Sequence, residues 1–96
     1  MDVYVCDCGN NRVQVFDSQG GYLRKWDTEG DGNGQFNSPI SISISFSSEE
    51  VYVCDANNNR IQVFDAQGRY LRKWGRKGDG DGQFKSHILC WRSLYL

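Results

Sequence analysis

Two short polar segments carry the side chains that could do chemistry. Each starts with an aspartate at the end of an apolar stretch and continues into asparagines and an arginine. The residues are Asp7, Asn10, Asn11 and Arg12 in one segment and Asp55, Asn58, Asn59 and Arg60 in the other. A carboxylate accepts hydrogen bonds from turn N–H groups and pairs with a guanidinium, so one interpretation is purely structural. The alternative is that the asparagines and arginines line one face of the molecule and bind a ligand.

A second group of candidates combines cations with aromatic rings. Lys25 and Trp26 recur as Lys73 and Trp74, and further basic residues surround the later pair. The ligand-binding candidates of this group are Arg72, Lys73, Arg76 and Lys77. Such patches bind nucleic acid through phosphate contacts and stacking. Because Trp26 and Trp74 occupy equivalent positions, packing between neighbouring structural units is the alternative explanation for both.

The spacing of the remaining polar residues argues against metal sites and catalysis. Asp27, Glu29 and Asp31 are spaced as at the start of a calcium loop, but the twelfth position is Ser38 rather than a glutamate. The single histidine, His87, has no partners at the spacing of a zinc site or of a nucleophile and base pair. The sequence therefore predicts no metal, no cofactor and no enzymatic activity.

The four cysteines favour reduced thiols over a disulfide framework. Cys6 and Cys54 occupy the same position in two copies of one unit, whereas Cys8 and Cys90 have no counterpart. Equivalent strand positions in stacked units point the same way, which disfavours a bridge between them. The chain also has no long apolar run and no secretory leader, so we expect no membrane span and a cytoplasmic location.

The candidate residues lie in two near-copies of one unit. Residues 3–38 align on residues 51–86 at a constant shift of 48 without a gap, and about 26 of the 36 positions are identical. The first unit spans residues 1–38, the second spans residues 39–86, and residues 87–96 form a divergent tail that would supply a last strand. Such self-similarity predicts repeated supersecondary elements that bury a face against each other.

Each unit contains short strands separated by turn residues. The segments 7–11 and 55–59 are predicted to form tight hairpins, because Asn, Asp and Gly tolerate a positive φ. Alternating or β-branched apolar residues predict three strands in the first unit, at 3–6, 13–16 and 22–26, and three in the second, at 51–54, 61–64 and 70–74. The second unit has an additional strand from Ile40 to Phe46, in which isoleucines alternate with serines. The strand at 22–26 and its copy should be the outermost and most solvated. The fold class is all-β, with about two four-stranded antiparallel blades.

These segments resemble the NHL repeat, whose blades build β-propellers. The pattern is carried by Gly34, Gln35, Phe36 and Pro39, by residues 51–55, Asn58 and 60–65, and again by residues 3–7, Asn10 and 12–17. The resemblance implies four-stranded antiparallel blades, of which a closed ring contains about six. This chain supplies fewer than two blades, so we predict an open arc and expect a fragment of a longer propeller.

The resemblance also implies a non-enzymatic module for protein–protein recognition. Proteins of the tripartite-motif group are similar in this region and use such propellers for substrate or RNA recognition beside a separate ubiquitin-ligase domain. A ligase role here would belong to a longer parent, with this chain as its substrate-recognition part.

The charge distribution supports two further hypotheses. Residues 1–50 carry three cationic and eight acidic side chains, a net charge of −5, whereas residues 51–96 carry eight and four, a net charge of +4. The basic second half favours RNA binding. The opposite charges of the two halves favour head-to-tail attraction between chains. A chain of two units also leaves sheet edges unpaired, so we predict self-association in which three chains supply about six blades of a propeller.

Overall fold

The computed structural model describes residues 2–26, 28–45 and 47–84. Within these ranges the chain is all-β apart from two single turns of 3-10 helix. The strands are β1 (Val3–Asp7), β2 (Arg12–Phe16), β3 (Tyr22–Trp26), β4 (Pro39–Ile44), β5 (Val51–Asp55), β6 (Arg60–Phe64) and β7 (Tyr70–Trp74). Among the described residues, no helix has the length and apolar character needed to cross a membrane. The predicted last strand at 87–96 lies outside them.

The strands form two antiparallel sheets in chain order, which we call the first blade (β1-β2-β3) and the second blade (β4-β5-β6-β7). The registers match between the copies: Val3 pairs with Phe16, and Val51 pairs with Phe64. A register shift precedes the last pair of both β2–β3 and β6–β7. The all-β fold with partial propeller blades in an open arrangement is confirmed for the described residues.

The leading strand of the second blade differs slightly from its prediction. It begins at Pro39, which pairs with Asp55, and ends at Ile44 instead of continuing to residue 46. Strand β4 stops there because the carbonyl of Ser45 accepts the N–H of Glu49, a residue with a positive φ of 58°. Phe46, the predicted last residue of this strand, lies outside the described residues.

The turns between β1 and β2 and between β5 and β6 are longer than the tight hairpins that the sequence predicted. Each contains one turn of 3-10 helix, at Cys8–Asn10 and at Ala56–Asn58. The following residues, Asn11 and Asn59, adopt left-handed conformations with φ of 53° and 55°. Asparagine tolerates this conformation better than most residues, which explains its presence at both turn ends.

Apolar packing joins the two blades. The core contains the buried side chains of Val13, Phe36, Val51, Val53 and Phe64. Trp26 of the first blade lies against the second, with its ring centroid 5.6 Å from that of Phe64. A Cβ atom added at Gly68 would lie 2.7 Å from the Trp26 ring, so the backbone approaches the indole closely. This arrangement confirms the packing interpretation for Trp26.

Candidate functional site

The second blade contains a polar cluster centred on the carboxylate of Asp55, which we call the second socket. Its Oδ2 accepts hydrogen bonds from Asn58 Nδ2 at 3.0 Å, Arg60 Nε at 2.8 Å and Gln62 Nε2 at 3.2 Å. Its Oδ1 accepts the backbone N–H of Asn37 at 2.7 Å. Asp55, Arg60 and Gln62 alternate along paired strands, so the sheet directs all three side chains to one face.

The guanidinium of Arg60 binds the glycine-rich segment 28–36, which we call the first link. Its Nη1 donates to the carbonyl oxygen of Asp31 at 2.9 Å, and its Nη2 donates to those of Gly32 and Gln35, both at 2.8 Å. With its Nε on Asp55, Arg60 uses each of its three nitrogens, and its side chain is only 6% exposed. A buried charge needs such full pairing to offset its desolvation.

Gln62 and Asn58 complete the contact with the first link. Gln62 Nε2 donates to the carbonyl of Gln35 at 2.7 Å, while its Oε1 accepts the N–H of Gly34 at 2.9 Å. Asn58 Nδ2 donates to the carbonyl of Gly30 at 2.8 Å. Because these contacts are to main-chain atoms of the link, the second socket recognises a backbone conformation rather than particular side chains.

The first blade contains the same cluster, which we call the first socket. Asp7 Oδ2 accepts hydrogen bonds from Asn10 Nδ2 at 3.0 Å, Arg12 Nε at 2.7 Å and Gln14 Nε2 at 3.3 Å. The hydrogen bonds from Asn10 and Arg12 hold the pKa of Asp7 below its ordinary value. Among the residues that the structure describes, no link lies on the first socket, and the Arg12 side chain is 29% exposed.

The glutamines and the link backbone are members of the site that sequence reasoning missed. Gln14 and Gln62 are identical in the two copies and lie two residues beyond the arginine on the same strand face. Their identity and period of two were the signals that could have identified them. The hydrogen bonds to a link 25 to 29 residues upstream leave no local sequence signal.

Among the described residues, Asn11 and Asn59 are not seen to share the hydrogen bonds of the sockets. Asn11 Oδ1 accepts the N–H of Ser38 at 2.8 Å and thereby fixes the end of the link to the first blade. Asn59 Oδ1 is buried without a hydrogen-bond partner among the described residues. The equivalent of Ser38 in the second copy is Ser86, which lies outside them.

The four basic candidates differ in their contacts. Arg72 donates its Nη2 to Glu50 Oε1 at 2.8 Å and its Nη1 to Glu50 Oε2 at 3.2 Å. These hydrogen bonds raise the pKa of Arg72 and lower that of Glu50. Lys73, Arg76 and Lys77 lie exposed at and beyond the end of β7.

Cys6, Cys8 and Cys54 are unbridged thiols. Burial raises the pKa of Cys6 to about 12 and that of Cys54 to about 11, with smaller contributions from the neighbouring Cys54 and Cys8 on Cys6 and from Asp55 on Cys54. Within residues 2–26, 28–45 and 47–84, no group of three or more histidine, cysteine or carboxylate side chains is placed to hold a metal ion. The segment that is spaced like the start of a calcium loop includes Asp27, which is not among the described residues.

The NHL repeat family model matches residues 2–16 and 36–64. These two segments include both sockets and Phe36, so the matched residues coincide with the polar clusters and the apolar contact between blades. No curated protein matches the chain at a significant level.

Proposed function

The chain belongs to the NHL-repeat family, whose propeller blades typically mediate protein interactions, and on this premise we propose that it is a non-enzymatic module that binds a protein partner through the first blade. The binding surface is the face of the first blade that is equivalent to the link-binding face of the second. We call it the open face. It consists of the first socket together with Val3, Val5 and Tyr22.

The observation that carries the proposal is a difference in exposure between identical residues. Val51 and Val53 of the second blade are fully buried, whereas their counterparts Val3 and Val5 are 48% and 39% exposed. Tyr22 is likewise 55% exposed, whereas its counterpart Tyr70 is half-buried, although each tyrosine ring contacts the equivalent phenylalanine. The open face therefore presents side chains whose types are suited to burial.

The chemistry of the open face fits a polypeptide partner. The open face combines an arginine and a tyrosine with apolar residues, and arginine and tyrosine are typical of the residues that dominate protein–protein binding energies. The second socket supplies a direct precedent, because it binds the carbonyl groups of Asp31, Gly32 and Gln35 in a glycine-rich segment. A partner loop with carbonyl groups in this arrangement would satisfy Arg12 and Gln14. In a longer parent with a separate ligase domain, the same face would select the substrate.

A pull-down with matched baits tests the proposal. The unmodified chain, Val5→Asp, Arg12→Ala and the control Arg69→Ala are immobilised, and bound proteins are identified by mass spectrometry. Arg69 is exposed in the second blade, outside the open face, so its removal should leave partner capture unchanged. We expect proteins that bind the unmodified and control baits and are lost from both open-face variants. Equal capture by all four baits would contradict the proposal.

RNA binding is a second candidate function, supported by the exposure of Lys73, Arg76 and Lys77. Phosphate contacts by these residues would give an affinity that falls steeply between 50 and 200 mM salt, on the general behaviour of such interfaces. Fluorescence anisotropy with a labelled single-stranded RNA should show weaker binding for the triple alanine variant than for Arg72→Ala, because Glu50 engages Arg72. A signal that is the same for both variants would remove this candidate.

A further inference from the structure

We propose that the open face of one chain binds residues 76–84 of a second copy of the chain. We call these residues the second link, because they are equivalent to the first link. This inference rests on the proposed function and names the partner of the same face. The assembly would be head-to-tail, with the second blade of one copy against the first blade of the next.

The two links share their glycine, glutamine and phenylalanine residues and have the same conformation. The residues Gly-Asp-Gly, then Gly-Gln-Phe one position later, occur at 30–36 and at 78–84. Gln35 Oε1 accepts the N–H of Gly32 at 2.8 Å, and Gln83 Oε1 accepts the N–H of Gly80 at 2.9 Å. The backbone N–H of Gly30 donates to the carbonyl of Phe36, and that of Gly78 donates in the same way to the carbonyl of Phe84. An isolated β-bridge at Phe36 also recurs at Phe84. The second link is therefore folded in the shape that a socket recognises.

The two sockets are also equivalent in geometry. Their four residues are identical, and the distance from the arginine Nε to the aspartate Oδ2 is 2.7 Å in the first and 2.8 Å in the second. By equivalence with Arg60, Arg12 would donate to the carbonyl groups of Gly80 and Gln83 of the second copy. Gln14 would accept the N–H of Gly82.

An aromatic contact outside the sockets supports the same arrangement. Trp26 packs on Gly68 within the chain, but the equivalent Trp74 is 45% exposed. The equivalent of Gly68 is Gly20, and a Cβ atom added there would meet nothing within 4 Å. Head-to-tail docking would bring Trp74 of one copy onto Gly20 of the other and cover both.

The charge distribution favours this orientation. The first half carries a net charge of −5 and the second half +4, so head-to-tail contact brings opposite charges together. Such a heterologous interface forms a closed ring when the rotation from one copy to the next returns to the first copy. Otherwise it forms an open filament of copies.

Photo-crosslinking of the full chain tests the contact directly. Trp74 is replaced by p-benzoylphenylalanine, an aromatic side chain of comparable bulk, and irradiated products are separated by mass and mapped. We expect dimers in which residue 74 is joined to residues 16–22 of the other copy. The same probe at Trp26 is the control and should join residues 64–68 within one chain.

The second measurement uses natural side chains and the Arg12→Ala variant. Light scattering of the unmodified chain should give a mass that rises above one chain with concentration. For Arg12→Ala, the concentration at which half of the chains are associated should be about tenfold higher or more. The reason is that loss of a hydrogen bond to a charged group typically weakens binding by that factor. Circular dichroism checks that the variant is folded. A monomer at every concentration, or a dimer whose yield Arg12→Ala leaves unchanged, overturns the inference.

The two proposals fail separately. A chain that stays monomeric while the open-face variants still lose a captured protein would overturn self-docking and retain the proposed function. A chain that self-associates through the open face but captures no other protein would retain self-docking and overturn the proposed function. In that case the face serves assembly alone.

Discussion

Arg60 and Asp55 form an ion pair at 2.8 Å that is enclosed between the second blade and the first link. Its counterpart in the first blade has the same geometry but remains open to solvent. One sequence motif thus occurs in two environments within one chain. The copies therefore provide matched pairs of substitutions in which local sequence is constant and the surroundings differ.

Arg60→Ala should destabilise the fold far more than Arg12→Ala. Removing Arg60 leaves the buried carboxylate of Asp55 without its cationic partner and takes one donor from each of three link carbonyl groups. Breaking a buried ion pair in this way typically costs about 3–5 kcal/mol. Arg12 and Asp7 are partly exposed, so water can replace much of the hydrogen bonding that Asp7 loses with Arg12. Urea unfolding of both variants measures the difference. Equal losses would contradict the assignment of Arg60 to the contact between blade and link.

Gly68→Ala should be more destabilising than Gly20→Ala. Both glycines have a φ close to +90° in equivalent turns, so the conformational penalty of alanine is shared. Only at Gly68 does the new methyl group collide with the Trp26 ring. Overpacking of this kind costs about 1–3 kcal/mol, which would appear as a larger decrease in melting temperature for Gly68→Ala than for Gly20→Ala. A matching decrease for Gly20→Ala would mean that backbone strain dominates.

The strands could be predicted from sequence because their signals are local. Alternation of apolar and polar residues and the constant shift of 48 located all seven described strands to within one or two residues. The left-handed ends of the turns at Asn11 and Asn59 follow from residue type as well. The 3-10 turns were missed because the same polar residues also suit a tight hairpin.

The environment of the candidate site could not be predicted in the same way. Asp7 and Asp55 have nearly identical neighbours in the sequence, yet only the ion pair of Asp55 with Arg60 is enclosed. The enclosing contacts come from the first link, whose carbonyl groups are present in any sequence. The sequence therefore identified Arg60 as a candidate, but it did not predict that main-chain carbonyl groups would occupy its hydrogen-bond donors. The ligand-binding role of the ten candidate residues stays a prediction.

Cys6 and Cys54 should react slowly with iodoacetamide at pH 8, whereas the exposed Cys8 should react readily. The reactive species is the thiolate, and pKa values of about 12 and 11 leave about one thiol in ten thousand and one in a thousand ionised at that pH. Peptide mapping after timed labelling distinguishes the sites. Adding urea should equalise the rates, because unfolding removes the burial that raises both pKa values. Rapid labelling of Cys6 in the native chain would show that its side chain is accessible.

Acid should destabilise the chain partly through Asp65, which closes the turn between β6 and β7. Its Oδ1 accepts the N–H groups of Arg69 and Gln67, both at 2.9 Å, and the bond from Arg69 contributes most to holding the pKa of Asp65 below its ordinary value of 3.8. A carboxyl group with a lower pKa in the folded state stabilises the fold above its unfolded pKa. That contribution is lost as pH falls through the folded value.

Asp65→Asn should therefore lower the free energy of unfolding at pH 7 and flatten its decline between pH 4 and pH 2. Asp7 and Glu50, whose pKa values are also lowered, would maintain a residual decline in the variant. Asp81→Asn, an exposed change in the second link, is the matched control and should reproduce the unmodified profile. Chemical unfolding at a series of pH values gives both profiles. If Asp65→Asn and the unmodified chain lose stability in parallel below pH 4, the turn carboxylate does not contribute to acid sensitivity.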